Sequence, residues 1–118
     1  MDRILLDYER MPLLLKEQLL LVLGRIGSTK ASYLVKEALY AKERWLRINA
    51  IEATINIKSP DLIESLLNIV KTPNTDIWVM ATAVSALGRI SNPQCIELLI
   101  PHLKNKDARV RANTIEAL

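Results

Sequence analysis

Scarcity defines this sequence before any motif does. Its 118 residues include one cysteine, Cys95, one histidine, His102, and no phenylalanine. A lone thiol excludes an intrachain disulfide framework, and one Cys with one His excludes a zinc site built from several such ligands. Glycine is confined to Gly24, Gly27 and Gly88, so no glycine-rich phosphate loop can be assembled. Charge of one sign is barely in excess. Sixteen Lys and Arg against 13 Asp and Glu give +3 and a pI near 9.2, short of the clustered excess of a dedicated nucleic-acid binder. The most apolar stretch, Leu13 to Ile26, is broken by Lys16, Glu17 and Gln18 and is too short to cross a bilayer. Asp2, Asp7 and Glu9 stand where a signal peptide would carry basic residues, so a cytoplasmic protein is expected. With 50% hydrophobic and 25% charged residues, the chain is one soluble domain or part of one.

What the sequence does have is self-similarity. Leu23-Gly24-Arg25-Ile26 returns as Leu87-Gly88-Arg89-Ile90 at an offset of 64, and half of that offset falls near Thr54-Ile55-Asn56-Ile57. Ala50, Ala53 and Ile57 return as Ala83, Ala86 and Ile90 at an offset of 33, whereas Thr114, Ala117 and Leu118 follow Ala83, Ala86 and Leu87 at an offset of 31. One repeat of nearly constant length therefore runs through the chain, and each copy holds two helical patterns. In the first, Val79, Ala83, Ala86, Leu87 and Ile90 match Leu46, Ala50, Ala53, Thr54 and Ile57 and, earlier, Leu15, Leu19, Val22, Leu23 and Ile26. Steps of three and four place such residues on one side of a helix. In the second, Ala31, Val35 and Leu39, then Leu62, Leu66 and Val70, then Cys95, Leu99 and Leu103 form rows at steps of four. These are second helices packed on the first. About seven helices and no strand are expected, as repeats over about 11–42, 43–75 and 76–106, a half repeat over 107–118, and a preceding helix tail over 1–10.

The punctuation agrees. Ser59-Pro60 and Asn92-Pro93 each put a capping residue before a proline at the first helical position. Lys71-Thr72-Pro73-Asn74-Thr75 and Asn105-Lys106 read as polar turns. Three residues before the anchors Leu46, Val79 and Val110 stand Glu43, Asp76 and Asp107, placed to cap or complement a helix N-terminus. Glu43 with Arg47 and Asp107 with Arg111 have the favourable order for an i, i+4 pair.

Asp107-Ala108-Arg109-Val110-Arg111 with Ala117-Leu118, and Asp76, Val79 and Ala83 with Ala86-Leu87-Gly88-Arg89-Ile90, carry a resemblance to the short HEAT repeats of the phycobilisome-lyase type, from about Pro12 to the C-terminus. Met80 stands where that unit has Arg, and Thr54-Ile55-Asn56 replaces Leu-Gly in the second copy. The resemblance implies an all-α, right-handed α-solenoid of antiparallel helix pairs, a HEAT-like superhelix. The Thr-Pro-Leu-His signature of ankyrin repeats and the large-aromatic pattern of tetratricopeptide repeats do not occur. Leu118 aligns with Leu87 inside a first helix, and Arg3-Ile4-Leu5-Leu6 reads as the tail of an earlier one. A piece of a longer array is expected, with self-association through Val110, Ile115 and Leu118.

Few residues can carry chemistry. Cys95 falls in a core row, where a buried structural cysteine is expected. His102, seven residues on, is about 10 Å farther along a helix axis, beyond the reach of a Cys–His dyad. It aligns with Ala38 and Ile69, which suggests packing near the next repeat. Iron-binding HEAT hydroxylases use several His–Glu pairs, and none is present. No catalytic residue, metal or cofactor is expected.

The aromatics say more. Trp45 and Trp78 occupy the same position of successive copies, with Leu14 and Arg109 in the neighbouring ones. They form a strip along one edge, either packed over the preceding turn or open to a partner. On the second helices, Tyr33, Glu64 and Glu97 make one column and Tyr40, Lys71 and Lys104 another, with Glu37 and Asn68 between. An inner face so mixed in sign does not suit a phosphate backbone. Lys104, Lys106, Arg109 and Arg111 read as a solvated basic turn.

The expected function is that of a non-catalytic protein–protein interaction scaffold, or a regulatory module of a larger protein. Its partner would be another protein, met through Trp45, Trp78 and Arg109 or through Tyr33 and Tyr40. Two alternatives are a nucleic-acid-binding domain similar to the HEAT-like DNA glycosylases, favoured by pI and opposed by the acidic groove, and tetrapyrrole handling similar to that of phycobilin lyases.

Overall fold

The computed structural model describes residues 12–26, 32–90 and 95–118, apart from the side chains of Leu23, Gly24 and Ile26. These residues form seven α-helices, one 3₁₀ helix and no strand: α1 Leu13–Ile26, α2 Ser32–Leu39, α3 Arg44–Ile57, α4 Pro60–Lys71, α5 Ile77–Ile90, α6 Cys95–Leu99, the 3₁₀ helix Ile100–Lys104, and α7 Ala108–Ala117. The expected helix tail over 1–10, Gly27, Ala31 and the Asn92-Pro93 cap lie outside the described residues.

Local chemistry sets the ends of these helices. Asp107 Oδ1 accepts the backbone N–H groups of Arg109 at 2.9 Å and Val110 at 3.4 Å. Asp76 Oδ1 does the same for Trp78 at 2.9 Å and Val79 at 3.2 Å. Both satisfy donors that the first turn of a helix leaves over. Glu43 occupies the N-cap of α3 without a side-chain cap bond, because its extra methylene carries the carboxylate past the first-turn N–H groups. Ser59 likewise precedes Pro60 as expected but makes no side-chain cap. The α3 helix ends on Lys58 in the left-handed region at φ 55°, its N–H bonded to the Thr54 carbonyl, the usual way to close a last turn.

The expected i, i+4 pairs do not form, and the arginines tie down turns instead. Arg47 Nε donates to the Leu39 carbonyl at 2.9 Å, and Arg111 donates to the carbonyls of Asn105 and Lys106 at 2.7 and 2.9 Å. Backbone carbonyls at the end of one helix and in the turn after it thereby gain charged donors. Met80, at the same register position, is buried. In its turn the Thr75 hydroxyl donates to the Thr72 carbonyl at 2.9 Å.

Two layers result. α1, α3, α5 and α7 pack side by side in order, while α2, α4 and α6 with the 3₁₀ helix lie along them. The molecule is elongated, 44 × 24 × 19 Å. Asn49 reaches from α3 to the Glu17 carbonyl of α1 at 3.3 Å, and Asn113 from α7 to the Ala81 carbonyl of α5 at 2.9 Å. These side chains lock the register of neighbouring helices.

The core lies between the layers. The rows Val35 and Leu39, Leu62, Leu66 and Val70, and Cys95 and Leu99 are buried, as are Leu46, Ala50, Ala53, Thr54 and Ile57 and Val79, Ala83, Ala86 and Leu87. Leu103 is a correction. It is 37% exposed, because Pro101 lacks the N–H that would continue α6 and the chain tightens into a 3₁₀ helix that turns Leu103 away. In α1, Leu15 and Val22 of the expected row are exposed, Leu19 is half-buried and Leu20 is the buried anchor; the side chains of Leu23 and Ile26 lie outside the described residues.

A regular rule explains this. Leu20, Ile51 and Val84 share one register position and are fully buried, but their counterpart Ile115 on α7 is 68% exposed. Leu46 and Ala53 are buried, but their counterparts Leu15 and Val22 on α1 are not. The first column therefore faces the following helix and the second the preceding one. Val110 belongs to the second and is buried, so it does not join Ile115 and Leu118 as an open surface.

Candidate functional site

The N-terminal ends of α3, α5 and α7 meet along one edge, held by charge. Arg44 of α3 places Nε at 2.9 Å and Nη2 at 2.8 Å from Asp76 Oδ2 before α5. Asp76 thus splits its work, one oxygen capping α5 and the other bridging to α3. Burial pushes the Asp76 carboxyl up, but the Arg44 hydrogen bond, the N–H groups of Val79 and Trp78 and the Arg44 charge outweigh it. They hold the group below the usual carboxylate range.

One step along the edge, the Arg109 guanidinium lies over the Trp78 ring, 3.9 Å from its centroid, a close cation–π geometry. Arg109 also pairs with Asp107 at 3.6 Å. A continuous chain of contacts therefore runs from Arg44 through Asp76 and Trp78 to Arg109 and Asp107. Trp45 is 57% exposed and Trp78 43%, so neither ring is packed away over its preceding turn, and Leu14 at the same position of α1 is exposed too.

Tyr33 and Tyr40 are exposed as well. Tyr40 shares a small hollow with Glu37, Glu43 and Leu46, about 270 Å³. Tyr33 stands apart on α2. The acids of the second helices, Glu64 and Glu97 in the Tyr33 column and Glu37 between columns, are exposed.

A larger cleft of about 630 Å³ opens at Ile77, the first residue of α5, between the 71–77 turn and the 3₁₀ helix with its following turn. Pro101, at the start of the 3₁₀ helix, is part of the cleft wall. Its lining includes Lys71, Ile77, Glu97, His102 and Lys106. His102 is half-buried, its Nε2 3.1 Å from the Val70 carbonyl, so its contact is with the preceding α4 rather than the next repeat. Cys95 is buried, as expected. Among the described residues no group of three or more His, Cys, Asp or Glu could hold a metal ion, and no helix is long and apolar enough to cross a membrane.

Reading the sequence alone misses the Arg44–Asp76 bridge and the cleft. Arg44 has no charged counterpart one repeat later, where Ile77 stands, so periodicity gives no hint of it.

No curated protein matches the chain. Residues 73–118 match the family model for HEAT repeats, the stretch that holds Asp76 to Ile90 and Asp107 to Leu118. The C-terminal part of the chain, residues 73–118, is thus similar to HEAT repeats.

Proposed function

We propose that this chain is a non-catalytic interaction scaffold, a right-handed superhelix of antiparallel helix pairs that binds another protein along the edge marked by Trp45, Trp78 and Arg109. The observation that carries the reading is the exposure of two tryptophans at one register position of adjacent helices, 57% and 43%. Large aromatics left open to water in register, with an arginine beside them, have the composition of interface anchors. HEAT arrays present extended surfaces of stacked helices, which suits a partner that crosses several of them.

The test is to change Trp45 and Trp78 separately to Ala, confirm by thermal melting that each variant folds, and measure affinity for a partner purified on the intact chain. A hot-spot aromatic costs about 2 kcal/mol or more, roughly thirtyfold in affinity. Unchanged affinity in both variants removes the edge. Loss in Tyr33→Ala and Tyr40→Ala instead moves the surface to the inner layer.

A further inference from the structure

We infer that the partner segment bound at this edge is an extended, acidic stretch of protein with apolar side chains at intervals; the inference rests on the scaffold reading above. Charge leads to it. The turns over 40–45, 71–78 and 104–109 carry six Lys and Arg against Glu43, Asp76 and Asp107, so this one edge holds an excess equal to the +3 of the whole chain. The remainder of the molecule is balanced.

Two of the three acids on the edge are engaged by bonds within the protein, while Glu43 is exposed. Asp76 and Asp107 cap α5 and α7 and pair with Arg44 and Arg109. Among the described residues the exposed Lys42, Lys71, Lys104 and Lys106 have no ion-pair partner. A ligand therefore meets these four lysines on the turns that lead into α3, α5 and α7, with Lys71 and Lys106 at the cleft.

The same features favour a carboxylate-bearing peptide over a nucleic acid. Arg109 already covers one face of Trp78, which blocks a base from stacking there. Glu43 stands two residues before Trp45, and Glu97 lines the cleft at Ile77. A phosphate backbone with a charge at every step would run into both, whereas an acidic peptide can place uncharged residues opposite them. The cleft of about 630 Å³, with Ile77, Leu98 and Pro101 between Lys71 and Lys106, takes an apolar side chain flanked by carboxylates. Stacked helices lie roughly 8 to 10 Å apart and an extended chain climbs about 3.3 Å per residue. Such a segment meets a new helix about every three residues.

The experiment measures anisotropy of a fluorescent peptide of repeated Glu-Glu-Leu on the full chain, beside Lys-Lys-Leu and Glu-Glu-Ser peptides and a single-stranded DNA of similar length. Glu-Glu-Leu is expected to bind most tightly and to weaken about tenfold or more as salt rises from about 50 to about 300 mM. Lys71→Glu with Lys106→Glu should weaken it about tenfold or more, Trp45→Ala should weaken it too, and Lys58→Glu, outside these turns, should leave it unchanged. Equal binding of Lys-Lys-Leu, no binding of Glu-Glu-Leu, or tighter binding of the DNA overturns the inference. Should Glu-Glu-Leu fail while the purified partner still loses affinity for Trp45→Ala, the charge assignment falls and the scaffold edge stands. Should neither respond, the edge itself falls.

Discussion

Gly88 on α5 and Ala117 on α7 approach so closely that a β-carbon at position 88 would lie 2.6 Å from the Ala117 Cβ and 2.8 Å from its Cα. The contact is backbone against backbone, with no flexible side chain to give way. The equivalent position on α3 is Ile55, whose side chain bars the same approach between α3 and α5. Gly88→Ala adds an atom where there is no room, at a cost of about 1–3 kcal/mol, offset by about 1 kcal/mol of helix propensity. Net destabilisation in urea unfolding is expected. A stabilised variant would mean that α7 shifts away at little cost.

Leu66→Ala should cost about 2–5 kcal/mol, since the side chain is fully buried in the middle of the stack. Leu103→Ala, on the 3₁₀ helix, should cost less than about 0.5 kcal/mol. Denaturant midpoints of the pair check this directly; similar losses would place Leu103 in the core after all.

Asp107→Ala removes an acceptor for two N–H groups of α7 and should destabilise by about 0.5–2 kcal/mol. Glu43→Ala should be nearly neutral, because Glu43 makes no cap bond. Thermal melting of both separates a working cap from an acid that merely stands in the right place.

Asp76 predicts an acid dependence. Its carboxyl is held below the value of 3.8 that it takes in the absence of these contacts, so the folded state favours the ionised form. The stabilisation is fully present above the unfolded pKa and is lost as pH falls through the folded one. Asp76→Asn should lower stability at neutral pH and flatten its fall below about pH 4, read from melting temperatures across that range. An unchanged acid slope would show that Arg44 contributes no net charge coupling.

Asn49→Ala and Asn113→Ala each remove one hydrogen bond between neighbouring helices. Each should cost about 0.5–1.5 kcal/mol. The two bonds join different helix pairs, so the losses should add in the double variant. A strong excess over additivity would mean that the register of one helix pair is transmitted to the other.

Much of this was legible in the residues. Asp76 and Asp107 stand three residues before Val79 and Val110, where an acid caps or complements a helix N-terminus, and the structure shows both as caps. Glu43 in the same place makes none, since spacing reports where an acid stands but not whether its chain length suits the job. The strip of Trp45, Trp78 and Arg109 was visible as a column. Whether its rings were covered was not, because that depends on how far each turn folds over the edge.

The near-constant repeat offset, apolar steps of three and four, and the punctuation of Asp, Pro and Gly by themselves determine an all-helical chain with two helices per repeat, and they pick out most of the core. They do so because each is a local property, written in the angle at which a side chain leaves its own helix. Tertiary structure decided the rest. Leu15 and Ile115 belong to columns that are buried elsewhere, yet both are exposed, because an apolar face is covered only where a neighbouring helix lies against it. The same holds for Arg44 on Asp76 and Arg109 on Trp78: each pair joins residues about one repeat apart, and only the stacking distance between helices brings them within reach.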